Sequence, residues 1–364
     1  MGYEGVTLDG SRVDFAWHEV TGAIGDSVTV LPLVVAIAVL TDLSLALMLV
    51  WFGLAQAVWG LYYGAPISVE PMKALAALLL AGTVTTGEFL LAGLLLGGVL
   101  LVVGTTGTLD RLGQYIGAPV VRGVQFGVAL VLLETGVGLG VGDPRLAAVA
   151  AALAVVPIAL GYWNLSGMVV LLGGGVVAVA SGATPALAMP SFDGLFAVAS
   201  VGLTGATAEA MLAQLAMTVG NAALAASVLM ADYFDRDVSA DDLSTSMGVM
   251  NLVSVPLGGI PMCHGSGGIA GKYAFGARTA GANLVLGAGY VGLALVGVGF
   301  LAVYPVAMLG VVLALVALQL ARTSLEQTGF YPLTIGIGVV GVAVDLGVAF
   351  LGGAVVYLAI ERWG

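Results

Sequence analysis

Charge is what this chain has least of. Only 9% of its 364 residues are Asp, Glu, Lys or Arg, against about 25% in a soluble domain, which excludes an ordinary soluble fold. Cysteine occurs once, as Cys263, so no intrachain disulfide can form. Histidine occurs twice, as His18 and His264. The adjacent Cys263 and His264 make a poor metal or nucleophilic dyad, because neighbours on a helix do not face each other, and no metal is expected. Basic residues number 10 against 21 acidic ones, for a net charge of −11. They form no basic cluster, which excludes a nucleic-acid footprint. No nucleophile, base and orienting group can be assembled, so neither an enzyme nor a cofactor is expected. A cleavable signal peptide is not expected either. Residues 1–20 are polar and mixed in charge, and the apolar run after them continues to Leu40. No appended soluble domain is expected, because the longest polar interval, 232–245, reads as a solvated loop crowded with Asp232, Asp235, Asp237, Asp241 and Asp242.

What fills the chain is apolar: 60% hydrophobic residues and a mean hydropathy of +1.11. Stretches 90–103, 124–133 and 284–303 have no polar face. Backbone groups in lipid must be satisfied locally, and runs this long favour helices over a barrel of alternating strands. Apolar segments fall near 21–41, 44–63, 68–84, 89–107, 117–140, 145–161 and 165–180. After a Gly/Pro/Ser stretch at 181–206, a second series runs near 207–231, 244–258, 263–280, 283–303, 304–321, 331–344 and 346–361. That is an all-α polytopic membrane protein of seven plus seven segments, with repeats at 1–182 and 183–364. Twelve spans is the competing count, if 331–344 and 346–361 are one segment. An odd number of spans per half inverts the second half. With a cytoplasmic N-terminus, Arg12, Arg111, Arg122, Arg236, Lys272, Arg278, Arg322 and Arg362 fall at or near the inner face, eight of the ten basic residues. Both termini are then cytoplasmic, and the expected location is the plasma membrane.

The halves also share punctuation. Gly25-Asp26 lies 41 residues before Pro66, and Gly220-Asn221 lies 41 residues before Pro261, with 195 residues between the sets. Proline is scarce, at 12 residues, so this match means more than glycine alone. Duplicated halves with breaks at corresponding positions are how many secondary transporters are built, with substrate held where the broken helices meet. Segments 68–84 and 263–280 are the short ones entered through Gly and Pro, and they read as half-helices, a broken third and a broken tenth helix. Pro66 disfavours helix before it, and Pro71 suits a first turn. The run Pro261-Met262-Cys263-His264-Gly265-Ser266-Gly267-Gly268 offers bare backbone N–H groups and one hydroxyl. Two facing helix N-termini would make an anion site without a fixed cation; the plain alternative is that the glycines serve only helix packing. Glu70 and Lys73, three apart within the membrane, read either as an ion pair or as a proton-coupling carboxyl beside a lysine, since burial disfavours the charged form. Asp26 is a cap or a cavity ligand with Asn221 as its counterpart. Glu134 and Asp345 in apolar spans read as structural, and His264 as a polar cavity residue.

Several blocks carry a resemblance: Glu19-Val20-Thr21-Gly22-Ala23-Ile24-Gly25-Asp26, then 66–73, then Gln214 through Asn221, and most specifically Ile260 through Tyr273 continued by Phe275-Gly276-Ala277-Arg278-Thr279. Together they resemble the MOT1-type molybdate transporter family, distant relatives of the sulfate permeases, in order along the whole chain. The resemblance implies oxyanion uptake and a fold like the sulfate and uracil permeases, with a core domain (19–108 plus 207–303) and a gate domain (117–182 plus 304–362). It implies glutamine where this chain has Glu70, whose carboxylate repels a dianion unless protonated or paired with Lys73. The expectation is therefore a secondary active transporter, a symporter, for molybdate, with tungstate or sulfate as further candidates. The expected contacts are Asp26, Ser68, Val69, Glu70, Lys73, Gln214, Asn221, Cys263, His264, Gly265, Ser266 and Gly267. A proton or sodium would couple transport, and two copies would form a homodimer. A nucleobase or carboxylate permease of the same fold, recognising N–H donors through Glu70 and Glu209, and an anion channel are the alternatives.

Overall fold

The computed structural model describes residues 13–109, 111, 116–183, 202–301 and 303–363. Most of the Gly/Pro/Ser stretch lies outside these residues, as does Arg12. Fourteen principal helices are present among them. The first seven are α1 (Trp17–Leu40), α2 (Leu45–Tyr63), α3 (Lys73–Leu80), α4 (Thr86–Thr105), α5 (Ala118–Val141), α6 (Pro144–Ala159) and α7 (Ser166–Ala180). The second seven are α8 (Gly205–Phe234), α9 (Ala240–Ser254), α10 (Ser266–Ala274), α11 (Gly281–Val296), α12 (Val306–Glu326), α13 (Tyr331–Ala343) and α14 (Leu346–Trp363). Seven helices are long and apolar enough to cross a bilayer by length and composition. The fold is the seven-plus-seven inverted repeat, and the twelve-span count falls because Val344 and Asp345 separate α13 from α14.

Local chemistry sets the boundaries. Thr85 and Glu88 form a capping box on α4, and Ser239 and Asp242 form one on α9. Asp143 caps α6, accepting from the N–H groups of Arg145 and Leu146 at 3.1 Å each. The two helices before the breaks stop alike. Gly64 (φ 61°) ends α2, and Gly258 (φ 83°) ends the 3₁₀ turn after α9, both left-handed. The expected acidic loop at 232–245 is a correction: α8 runs through Phe234 and α9 begins at Ala240, leaving only 235–239 between them. Asp241 and Asp242 sit in the first turn of α9, where the helix dipole favours carboxylates.

Packing follows the duplication. α2 lies along α11 and α4 along α9; α1 meets α10 and α3 meets α8. These eight helices form one bundle. In the other, α5 lies along α12 and α13, and α7 packs on α6 and α12. Helices approach closely where both lack side chains. A Cβ on Gly136 would sit 2.6 Å from the Gly310 carbonyl oxygen, and one on Gly310 would sit 2.5 Å from that of Gly136. Gly248 of α9 presses on α4 in the same way: an added Cβ would lie 2.6 Å from the Leu101 backbone nitrogen and 2.7 Å from its Cα. Backbone cannot swing aside as a side chain can. Gly248→Ala is therefore expected to cost about 1–3 kcal/mol, read as a lower thermal unfolding midpoint of purified protein; an unchanged midpoint would refute the contact.

Candidate binding site between the broken helices

Chain 66–72 and chain 259–265 run without helix through the middle of the first bundle. Two residues of each form a minimal antiparallel ladder, with Glu70 opposite Cys263 and Pro71 opposite Met262. The Met72 N–H donates to the Pro261 carbonyl at 2.9 Å. Unpaired backbone at this depth must find partners inside the protein, and polar side chains on the neighbouring helices supply them. Gln56 of α2 donates through Nε2 to the Val69 carbonyl (3.1 Å). Asn251 of α9 holds Met262 at both ends, donating to its carbonyl (2.6 Å) and accepting from its N–H (2.7 Å). His264 donates through Nδ1 to the Ser68 carbonyl (2.9 Å), while its Nε2 lies 2.8 Å from the Ser246 hydroxyl. A carbonyl only accepts, which fixes the Nδ1 proton.

The two half-helices start differently. In α3 the Gln214 side chain of α8 accepts from the N–H groups of Ala74 (2.9 Å) and Leu75 (3.4 Å), capping that turn. In α10 the first intrahelical bond is Ile269 N–H to the Gly265 carbonyl (3.0 Å). The N–H groups of Ser266, Gly267 and Gly268 precede it and have no partner within the helix. Ser266 is half-buried and Gly267 exposed, in a core otherwise closed. The Ser266 hydroxyl donates to Asn221 Oδ1 (2.5 Å), which turns the Asn221 amide NH₂ outward from that bond. Asn221 lies in the stretch of α8 wound as a π-helix, 218–225, a distortion common at functional positions.

Four charges converge here. Glu70 and Lys73 are in contact as an i,i+3 ion pair. The Glu70 carboxylate also accepts from Thr29 (3.2 Å) and rests against the backbone of Gly265 and Gly268, where no Cβ would fit. Asp26 accepts from Ser68 (2.6 Å) and Gln56 (2.7 Å) and lies 3.1 Å from Lys272 Nζ. Lys272 was expected at the inner face; instead it is fully buried. Its position on α10 points inward to Asp26 rather than out to water, which leaves seven of the ten basic residues for that face.

All twelve expected contact residues lie around this junction, with differing freedom. Val69 and Cys263 are buried in the ladder region. Ser68 is engaged by Asp26, and the ring nitrogens of His264 and the carbonyl of Gln214 are committed to the protein. Lys73, Asn221, Ser266, Gly265 and Gly267 surround the open turn. Sequence reasoning missed Thr29, Gln56, Ser246, Asn251, Lys272 and Asn283. The signal was available for Gln56, Asn251 and Asn283, amides inside apolar helices, where polar groups are costly unless paired. Two clefts lie away from the junction. One of about 400 Å³, beyond the C-terminal end of α3, is lined by Glu134, Asp345, Thr83 and Thr135. The other, of about 410 Å³, is lined by Tyr62, Tyr63, Asp235, Arg236 and Asp242.

Comparison with known proteins agrees with this architecture. The sequence profile described as "Molybdate transporter of MFS superfamily" matches residues 18–132 and 206–320. Molybdate transporter 1 of Arabidopsis thaliana is 29% identical over 85% of this chain and 80% of its own length, and Molybdate transporter 2 of the same plant is 27% identical over 85% and 79%. Among solved structures, the transmembrane domain of the cyanobacterial bicarbonate transporter BicA superposes with a TM-score of 0.66 at 18% identity, over 94% of this chain and 99% of that one. The murine solute carrier 26 family member A9 anion transporter, in its inward-facing state, gives 0.70 at 12% identity, over 96% and 69%.

Proposed function

The chain belongs to the molybdate transporter family, and from that premise we propose that it is a secondary active transporter for a tetrahedral oxyanion, molybdate foremost, with tungstate or sulfate as further candidates. The observation that carries this reading is the open first turn of α10. Its unpartnered N–H groups stand at the positive end of a helix dipole, as anion sites require, and the Asn221 amide and the Lys73 ammonium flank them. Both repeats contribute, so motion of α1–α4 and α8–α11 against the other bundle would expose the anion to each side in turn. Glu70 is the proton-coupling group: protonated, it releases Lys73 and ceases to repel the anion. The protein sits in the plasma membrane with both termini cytoplasmic, a reading supported by the seven inner-face basic residues. Exposed apolar side chains on α6 and α7, such as Val155 and Val176, suit lipid or a second copy.

The test is direct binding of molybdate to purified protein, challenged with sulfate. Tight molybdate binding displaced by tungstate and little by excess sulfate is the expected result; no binding of either oxyanion overturns the reading. Ser266→Ala frees Asn221 from its anchor and is expected to weaken molybdate binding by about tenfold, the worth of one hydrogen bond at the upper end of the usual range, with the thermal midpoint unchanged. Unaltered affinity in both Ser266→Ala and Asn221→Ala would move the site away from α10. One observation favours a second reading. The buried carboxylates of Asp26 and Glu70 flank the same junction and would suit the N–H donors of a nucleobase. Competition by uracil or xanthine, with none by oxyanions, would select it.

A further inference from the structure

The ammonium of Lys272 lies in an oxygen cage. Around Nζ stand the Ile67 carbonyl at 2.5 Å, Gln56 Oε1 at 2.8 Å, Asn283 Oδ1 at 3.0 Å and Asp26 Oδ2 at 3.1 Å. Four elements contribute: α1, α2, α11 and the extended chain of the first break. The amide orientations are fixed by their other bonds. Gln56 directs Nε2 to Asp26 and Val69, and Asn283 directs Nδ2 to the carbonyls of Gln56 and Ile67, so each presents its oxygen to Lys272.

An ammonium has three donors, and here it meets four oxygens. The set of one carboxylate, two amide oxygens and one peptide carbonyl from unwound chain is the set that hard cations take. In transporters of broken-helix design, unwound carbonyls of this kind coordinate the coupling cation. The cage carries one formal negative charge, from Asp26, so a monovalent ion neutralises it and a divalent ion leaves an excess buried charge. Every residue of the cage, Ile67 included, is fully buried.

We propose that this is a monovalent-cation site occupied by a tethered cation, the Lys272 ammonium, and that removing the side chain opens it to sodium. Lys272 thereby makes the protein independent of sodium and leaves the proton as the coupling ion. This consequence rests on the transport reading above; the cage itself does not. Asp26 links the two sites, with Oδ2 facing the cage and Oδ1 bonded to Ser68 beside Glu70 and Gly268.

The test needs no anion. Thermal unfolding midpoints of the purified full chain are compared in sodium, potassium, ammonium and N-methyl-D-glucamine chlorides at equal ionic strength. The wild type is expected to unfold at one temperature in all four. Lys272→Ala is expected to unfold several degrees lower in N-methyl-D-glucamine and to recover saturably with sodium or ammonium, because a ligand bound only by the folded state stabilises it. Adding Asp26→Asn to that variant is expected to abolish the recovery. A folded Lys272→Ala indifferent to all four cations overturns the proposal. Should that variant not fold in any of the salts, the wild type decides: a saturable, sodium-specific rise in its midpoint overturns the proposal, and one common midpoint supports it. Either result leaves the anion assignment untouched, since molybdate binding is measured separately.

Discussion

Asp26→Ala lowers the stability of the chain by about 3–5 kcal/mol, the usual cost of leaving a buried charge without its partner. Asp26 and Lys272 are both fully buried, away from water. The alanine also removes an acceptor of the Ser68 hydroxyl and of the Gln56 amide, leaving the amide only the Val69 carbonyl and the hydroxyl only a long contact to Glu70. Hydrogen-bond loss therefore adds to charge loss. Asp26→Asn keeps the shape and half the acceptors and should cost less. The double variant Asp26→Ala with Lys272→Met removes both charges, and neutral packing often does as well as a buried pair, so most of the loss should return. The measurement is the unfolding midpoint of each variant in detergent. Strict additivity of the two single effects would mean that the charges do not interact.

Glu70→Gln strengthens oxyanion binding by roughly tenfold to thirtyfold, as expected for removing one like charge a few ångströms from the ligand at an intermediate dielectric. In the wild type the Glu70 carboxylate holds Lys73 and lies against Gly265 and Gly268, at the turn where the anion is proposed to bind. The ligand and this carboxylate compete for one set of donors. Isothermal titration of wild type and variant with molybdate tests this. A variant that binds no more tightly than the wild type would remove Glu70 from the anion's neighbourhood.

The architecture was legible because its physics is local. Lipid demands long apolar helices, and Gly64, Pro66, Gly258 and Pro261 interrupt them wherever they occur. The matched prolines, however, are not equivalent in space. Pro261 directly precedes the strand at Met262, while Pro66 lies four residues before the one at Glu70. Left-handed Gly64 and Gly258 mark the repeat better, because a helix stop constrains conformation and a spacing does not. Within the site, residues in the breaks were found by their unusual sequence. Gln56, Asn251, Asn283 and Lys272 sit in ordinary helical sequence, and only tertiary packing shows what they reach. Lys272 was placed by charge statistics at the membrane face, a rule about averages that a single buried pair can violate. Gln214 was read as a ligand contact; its cap on α3 depends on how α8 crosses that half-helix, which no local pattern encodes.

The two-residue ladder between Glu70–Pro71 and Met262–Cys263 has a consequence for biosynthesis. Its partners are separated by most of the polypeptide, so the first break emerges from the ribosome long before the chain that completes it. Until the chain from α8 to α11 arrives, the carbonyl of Ser68 lacks His264, that of Ile67 lacks Lys272 and Asn283, and the start of α3 lacks Gln214. The nascent first half must wait with its break held by water, lipid headgroups or an insertion chaperone. Binding competence then appears in one late step, when the second half docks.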